Sequence, residues 1–460
     1  MADCSIVRHS TLQHGRIDAQ FYQPTYVKEE EALVALADTI EVKTLGALVS
    51  KRVRTGRTPG NREFKEGDQP VHFIKTDTVR EGRIDFDRCD MIPARVISGS
   101  DYLEESEVLV TIIGASRDIV GRAAIYPPYS PAAIANQNIA IIRPDPRLDP
   151  HYLQAFLNSR FGRHQLWRHS RQTEQVNLNC PEVERILVPV FDGSTQERIA
   201  DLVRESIDLR RKAENTLAKA KALLVEGLGV EDVELSDQLT FVWNFSLASA
   251  SGRYDAEFFQ PKYHHLLQLV ERIGFDHLGD IGTLSKGIEV GSEAYEEAGV
   301  LFIRVSTLSE YGITEGDSEK YISSKLYREL KSRFEPRLGE LLITKDATPG
   351  IAYHVSESVK GIISSGILRL RLTRAIDPEY LTLVINSKVG QMQIERESSG
   401  AVILHWKPKK VELLRIPRLL PSTEQGLGDL VRESKRRRAK AERLHQRAKE
   451  RVERIILDQE

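Results

Sequence analysis

From about Thr195 to Leu228 the chain carries no proline, and Ile199, Leu202, Ser206, Leu209, Ala213, Thr216, Ala220 and Leu223 recur at alternating steps of three and four. That spacing draws a heptad stripe along one face of a helix. Ser194 and Thr195 are candidate caps, and Gly227 and Gly229 are stop signals. The pattern predicts one uninterrupted helix on the order of 50 Å long, at 1.5 Å per residue. A second stripe runs through Leu427, Leu430, Ser434, Arg437, Ala441, Leu444 and Ala448, followed by Val452 and Ile455. Small residues at matching positions, Ser206 with Ser434, Ala213 with Ala441 and Ala220 with Ala448, permit close approach and predict an antiparallel coiled coil with a globular part at either end. A solvated charged helix is the alternative. Lys435, Arg436 and Arg438 lie off the seam and are expected to face outward, for docking a partner.

The stripes belong to a longer repeat. Gly15 to Tyr26 reads GRIDAQFYQPTY and Gly252 to Tyr263 reads GRYDAEFFQPKY, identical at eight of twelve positions. The strand-like runs Val71–Lys75 and Glu107–Thr111 return as Val300–Arg304 and Glu340–Thr344. DPHYLQAFLNSRFG from Asp149 returns as DPEYLTLVINSKVG from Asp377, and LVRES follows at the same distance in both halves, from Leu202 and from Leu430. A fixed order repeated at this length is the mark of tandem copies of one unit. The predicted class is α+β: two tandem mixed α/β domains joined by two long antiparallel helices that form a coiled coil. The expected segments are 1–190, a first domain with its lead segment; 191–230, a central helix; 231–418, a second domain with its lead segment; and 419–460, a C-terminal helix.

Composition narrows the function. A chain of 460 residues exceeds one ordinary core, so two domains are the default. With 40% hydrophobic and 29% charged residues, and no apolar run near the ~18 residues that span a bilayer, a globular cytoplasmic protein is expected. The start, MADCSIVRHSTLQHGR, lacks the apolar region of a signal peptide. Cys4, Cys89 and Cys180 are widely spaced and form no C-x-x-C pair, so no metal site is expected of them. A net charge of -2 confines any nucleic-acid surface to local patches.

Catalytic signatures are weak. Gly227-Leu228-Gly229 stands at a helix end, where it reads as a cap rather than a phosphate cradle. Tyr126-Pro127-Pro128-Tyr129 resembles an adenine methyltransferase signature, but a tyrosine stands where the polar acceptor belongs. Asp38 with Glu41 and Lys43 has a loose nuclease-like order that is common by chance, and His164, His169, His264 and His265 lack further zinc ligands. No catalytic residue, metal or cofactor is therefore assigned.

Binding is better supported. KRVRTGRTPGNR holds Lys51, Arg52, Arg54, Arg57 and Arg62 among turn residues, a composition suited to following phosphates and reaching base edges. A solubilising loop is the bland reading. SRFGRHQLWRHSRQ intersperses Arg160, Arg163, Arg168 and Arg171 with Phe161 and Trp167, and the second half carries Lys407 and Lys409 beside Trp406. Asn136, Gln137 and Asn138 offer amides that pair with adenine, or that stabilise a turn.

This order resembles the specificity subunit of type I restriction-modification enzymes: recognition domain, spacer helix, second recognition domain, second helix. The resemblance rests on Thr55-Gly56-Arg57-Thr58-Pro59, Phe73-Ile74-Lys75, Leu109-Val110-Thr111, Asn136-Gln137-Asn138 and the exits Val188-Pro189 and Ile416-Pro417. It implies double-stranded DNA as ligand, each domain reading half of a bipartite sequence in the major groove. It also implies two methyltransferase subunits packed on the helices, restriction subunits joining them, and a methyl donor bound by the partner. Expected DNA contacts are Lys51, Arg52, Arg54, Arg57, Thr58, Lys75, Asn136, Gln137, Asn138, Arg168 and Arg171, with Lys286, Arg304, Lys345, Lys407 and Lys409 in the second domain. Two departures stand out. Gly287-Ile288-Glu289-Val290-Gly291 replaces the first domain's Gly-x-Thr-Pro, and the paired GRxDAxFxQPxY segments have no assigned role beyond docking, against the helices or the partner. A coiled-coil adaptor that reads no sequence, and a divergent methyltransferase or endonuclease, are the competing readings.

Overall fold

An aspartate-proline pair opens the helical part of each half. Asp149 accepts hydrogen bonds from the His151 and Tyr152 amides at the head of helix Pro150–Asn158, and Asp377 does the same for helix Pro378–Asn386. Proline at the first helical position costs no hydrogen bond, because that amide has no partner inside the helix. Tyr152 and Tyr380 are buried, and each donates its hydroxyl to a proline carbonyl on the exit strand, Pro189 at 2.7 Å and Pro417 at 2.8 Å. The repeated motif DPxYL is thus a packing device, with a cap at one end and a buried tether in the middle.

The computed structural model describes residues 12, 16–116, 118–172, 176–230, 237–313, 319–398 and 404–457. By contacts the chain divides into two compact units, Met1–Arg210 with Ala439–Glu460, and Arg211–Arg438. The division falls inside both long helices, Gly193–Gly227 and Pro421–Ile456. Each unit is α+β. No helix among the described residues is long and apolar enough to cross a membrane.

In the first unit an antiparallel sheet runs in the order Val49–Thr55, Ile139–Pro144, Val108–Thr111, Ala123–Ile125. A three-stranded sheet pairs Ala133–Ala135 in parallel with Pro70–Ile74, which pairs antiparallel with Asp90–Pro93. Residues Val108 to Thr111 are buried on both faces. Val108 and Val110 enter the main core with the helices, and Leu109 enters a second cluster with Ile74 and Tyr126, as strand alternation requires. The second unit repeats the plan with Gly282–Lys286, Ile367–Leu372, Leu341–Thr344 and Ala352–His354. There Val300–Ile303 pairs in parallel with Gly361–Ile363.

The helices pack as an antiparallel pair within each unit. In the first, Ile199 and Val203 share a core with Ala448, Val452 and Ile456, while farther along Ser206 donates to the Ala441 carbonyl at 2.7 Å. In the second, Ser434 donates to the Ala213 carbonyl at 2.8 Å, and Leu217, Ala220 and Leu224 share a core with Leu427 and Val431. Ile199, Ala213, Leu427, Ala441 and Leu444 are buried, but the other half of the predicted seam is displaced by one residue. Val203, Arg210, Leu217 and Leu224 are the buried positions; Leu202 and Leu209 are partly buried, and Leu223 is 38% exposed. On the second helix Val431 and Ile456 replace Leu430 and Ile455. On the first helix the steps from each small residue run four then three, rather than three then four, which places the stripe on a neighbouring face.

The caps differ as well. Asp192, not Ser194 or Thr195, accepts from both of their amides and both hydroxyls, and those bonds pull its carboxyl below the usual range. At the far end Gly229 adopts φ +59°, its amide reaches the Glu226 carbonyl and Val230 reaches back to Val225, a Schellman closure.

The predicted outward basic cluster is mostly engaged. Lys435 pairs with buried Glu379 at 2.6 Å, and Arg438 stacks over Tyr311 at 3.8 Å; of the three, Arg436 is exposed, paired with Glu433. Burial opposes ionisation of Glu379, yet His354 at 3.0 Å and the Lys435 ammonium hold its carboxyl below the ordinary value. Lys435 is itself drawn below the usual lysine value by burial.

Candidate nucleic-acid interface

One glycine fixes the geometry at the tip of the four-stranded sheet in each unit. A Cβ on Gly56 would lie 2.2 Å from the Ala135 carbonyl oxygen, and one on Gly287 would lie 2.1 Å from that of Ser364. Only glycine lets the edge strand come that close to the turn beside it. The Arg57 amide then donates to Ala135 at 2.8 Å, and the Ile288 amide to Ile363 at 3.0 Å. The two tips are therefore built alike from the backbone, which aligns Arg57 with Ile288 and Thr58 with Glu289.

Their side chains differ. In the first unit the Thr58 hydroxyl donates to the Gln137 side-chain oxygen, both exposed, and Arg57 stands 64% exposed, 3.5 Å from Asp101. In the second the Ser365 hydroxyl donates to the Glu289 carboxylate. The loop beyond Thr58 is anchored at its far end, where Asp68 accepts from the Lys65 amide at 2.6 Å and from Arg95 at 3.0 Å. The Lys65 amide bond and the Arg95 contacts lower the Asp68 carboxyl. Lys51 and Arg52 are exposed on the edge strand behind the tip, while Arg54 lies 3.6 Å from buried Glu107.

The remaining predicted residues separate into exposed and internal. Asn138 is partly buried, and Asn136 is buried with its side-chain oxygen accepting from the Asn138 amide, the turn-stabilising role. Lys75 pairs with Asp90 at 2.9 Å, and Arg304 in the corresponding place is partly buried. Lys286, Lys407 and Lys409 are exposed. Arg171 is 67% exposed beside Glu182.

Arg168 is not a surface contact: its side chain is 3% exposed, pairs with Glu30 at 2.6 Å and donates to the Phe21 carbonyl at 2.9 Å. Lys345 is likewise buried against Asp346. The basic-aromatic stretch from Ser159 is largely an internal helix, with Phe161 buried, Trp167 donating to the Val120 carbonyl and Arg163 donating to that of Asp118.

Arg168 explains the lead segments. Its guanidinium lies 4.3 Å from the Phe21 ring centre and Arg16 lies 5.0 Å from it, so the phenylalanine is clamped between two cations. In the second half Arg396 and Arg253 clamp Phe258 at 3.9 and 4.5 Å. Arg16 also pairs with Asp18, and Arg253 with Asp255. The GRxDAxF pattern is thus a docking strap onto its own domain. The signal was present in the sequence, since Arg168 and Arg396 occupy matching positions after DPxYL. Gly15, the first residue of the first motif, lies outside the described residues.

A second repeated contact joins the sheet to the helices. In the first unit Glu81, on the hairpin Val79–Arg80/Arg83–Ile84, pairs with Lys449, with His445 at 3.8 Å. In the second, Glu310 on the matching hairpin pairs with Lys221 at 3.0 Å. Burial works against the Glu81 charge, but His445 and Lys449 outweigh it and hold its carboxyl at about 2.

Comparison with known proteins gives neither a matching family model nor a matching curated protein. Among solved structures the chain is similar to the type I restriction-modification system S subunit from M. genitalium, at 13% identity and TM-score 0.39, covering 92% of this chain and 96% of that one. It is similar to the HsdS subunit from Thermoanaerobacter tengcongensis at 15% identity and TM-score 0.31, covering 91% and 97%. A further match, the type IIG restriction endonuclease BpuSI, has 12% identity and TM-score 0.31 and covers 40% of this chain and 28% of that one.

Proposed function

We propose that the chain is the sequence-reading subunit of a type I restriction-modification complex. Each unit binds one half of a bipartite duplex sequence through the tip of its sheet, and the long helices carry two methyltransferase subunits, with restriction subunits joining that core. The chain performs no chemistry itself; the methyl donor and its catalytic residues belong to the partner, and the complex works in the cytoplasm. The observation that carries this reading is the pair of tips. Gly56 and Gly287 build the same backbone, while Arg57, Thr58 and Gln137 are replaced by Ile288, Glu289 and Ser365. A duplicated frame with different polar groups at one location is what reading two different half-sites requires, because base edges are distinguished by donor and acceptor pattern. Lys51, Arg52 and Arg57 supply phosphate and guanine contacts in the first unit, and Lys286, Lys407 and Lys409 supply cations in the second.

The test is co-expression with a type I methyltransferase subunit from the same genome, followed by mapping of modified adenines across the host genome. A split motif modified only when both proteins are present is expected. A stable complex that modifies no defined sequence overturns the reading in favour of an adaptor.

A further inference from the structure

The two tips carry opposite charge. Residues 51–67 hold six cations, Lys51, Arg52, Arg54, Arg57, Arg62 and Lys65, against two carboxylates, whereas residues 286–299 hold Lys286 against Glu289, Glu293, Glu296 and Glu297. Phosphate attraction by the tip segment is therefore stronger in the first unit than in the second, and a carboxylate at the second tip is repelled by the DNA backbone unless it meets a donor on a base edge.

Resting on the proposed function, we infer that Glu289 is a specificity-determining residue that reads cytosine in one half-site. An ionised carboxylate offers acceptors alone. In the major groove the donors are the cytosine N4 and adenine N6 amino groups, and guanine and thymine present acceptors that repel it. Adenine sets its N7 acceptor beside the N6 donor, against the second carboxylate oxygen, so cytosine is the better match. The side chain is placed for this. Gly287 holds the backbone against the Ser364 carbonyl, Glu289 is exposed two residues on, and the Ser365 hydroxyl donates to one of its carboxylate oxygens, leaving the other to a ligand. The corresponding group in the first unit, Thr58 against Gln137, offers a mixed donor-acceptor set that does not select cytosine.

The experiment is selection of bound sequences from a random duplex pool by the full chain and by the Glu289→Gln, Glu289→Ala and Thr58→Ala variants, with thermal melting to verify that each is folded. The wild type is expected to enrich a two-part motif with a fixed C·G pair in one half. Glu289→Gln should shift that single position from cytosine toward adenine by about tenfold, since an amide pairs with adenine. Glu289→Ala should relax it, and Thr58→Ala should alter the other half alone. A folded Glu289→Gln variant that enriches the wild-type motif unchanged, or a change confined to the half that Thr58→Ala alters, overturns the inference and leaves the proposed function standing. A wild type that enriches no motif overturns the proposed function itself.

Discussion

Leu223 and Leu224 are adjacent leucines on one helix, and the packing assigns them opposite fates. Leu224 is fully buried in the core of the second unit with Leu217, Ala220, Leu427 and Val431, whereas Leu223 is 38% exposed. Truncating a buried leucine to alanine costs the transfer of the lost methylenes plus the cavity left behind, about 2 to 5 kcal/mol. Taking ~3 kcal/mol and a urea slope of about 2 kcal/mol/M, Leu224→Ala lowers the unfolding midpoint by roughly 1.5 M. Leu223→Ala should stay within ~0.5 kcal/mol, because a half-open site collapses and alanine favours the helix. Two units need not unfold together, so the readout must be local. Trp406 is 1% exposed in the same core as Leu224, and Trp167 is the first unit's tryptophan, so fluorescence in a Trp167→Phe background reports the second unit. Equal shifts for the two variants, or a larger one for Leu223→Ala, would refute the buried seam described above.

Three further outcomes follow from the same geometry. Arg432 donates to both carboxylate oxygens of Asp377 at 3.1 and 2.9 Å, so a double-mutant cycle of Arg432→Ala with Asp377→Asn should show coupling of ~1 kcal/mol, and none if the pair is idle. Because the folded Glu379 carboxyl sits below its ordinary value of 4.5, its contribution is complete above about pH 4.5 and is lost as pH falls through the folded value. Over that acid range the urea midpoint of the second unit should fall more steeply in the wild type than in Glu379→Gln, and parallel slopes would contradict this. Phe21→Ala removes a fully buried ring from between Arg16 and Arg168, at a local cost of about 3 to 5 kcal/mol. Trypsin should then cut the lead segment rapidly, while alanine at exposed Ile17 leaves the cleavage pattern unchanged.

The helices, their antiparallel sense and the repeat were legible because small seam residues and the DPxYL and LVRES segments recur at fixed spacing. The phase of the seam was not. At Leu202 against Val203 and Leu223 against Leu224 both candidates are apolar, and at Leu209 against Arg210 the buried member is the charged one. Only the shape of the facing domain decides between them. Charge was also a poor guide to exposure: Arg163, Arg168 and Arg396 are drawn inward by aromatic rings and backbone carbonyls, because a guanidinium can stack and donate at once. The exposed tip residues were half legible. KRVRTGR advertised the first tip and Gly287-Ile288-Glu289 marked its counterpart, but Ser365 became visible as the partner of Glu289 only when Gly56 and Gly287 were seen to make the same close approach.

That division between frame and tip has a chemical logic. The frame contacts recur in pairs, Asp149 with Arg204 and Asp377 with Arg432, Glu81 with Lys449 and Glu310 with Lys221. The hairpin glutamate of each half meets a lysine from the helix of the other half, so each unit is assembled from both repeats. Changing a frame residue therefore disturbs a contact that the other repeat must match. Thr58 bonds to Gln137 in the first unit and Ser365 to Glu289 in the second, and neither bond involves any of those pairs. Substitution at a tip therefore leaves the cap, the strap and the helix contacts intact, and under the proposed function this lets one scaffold serve two half-sites of different sequence.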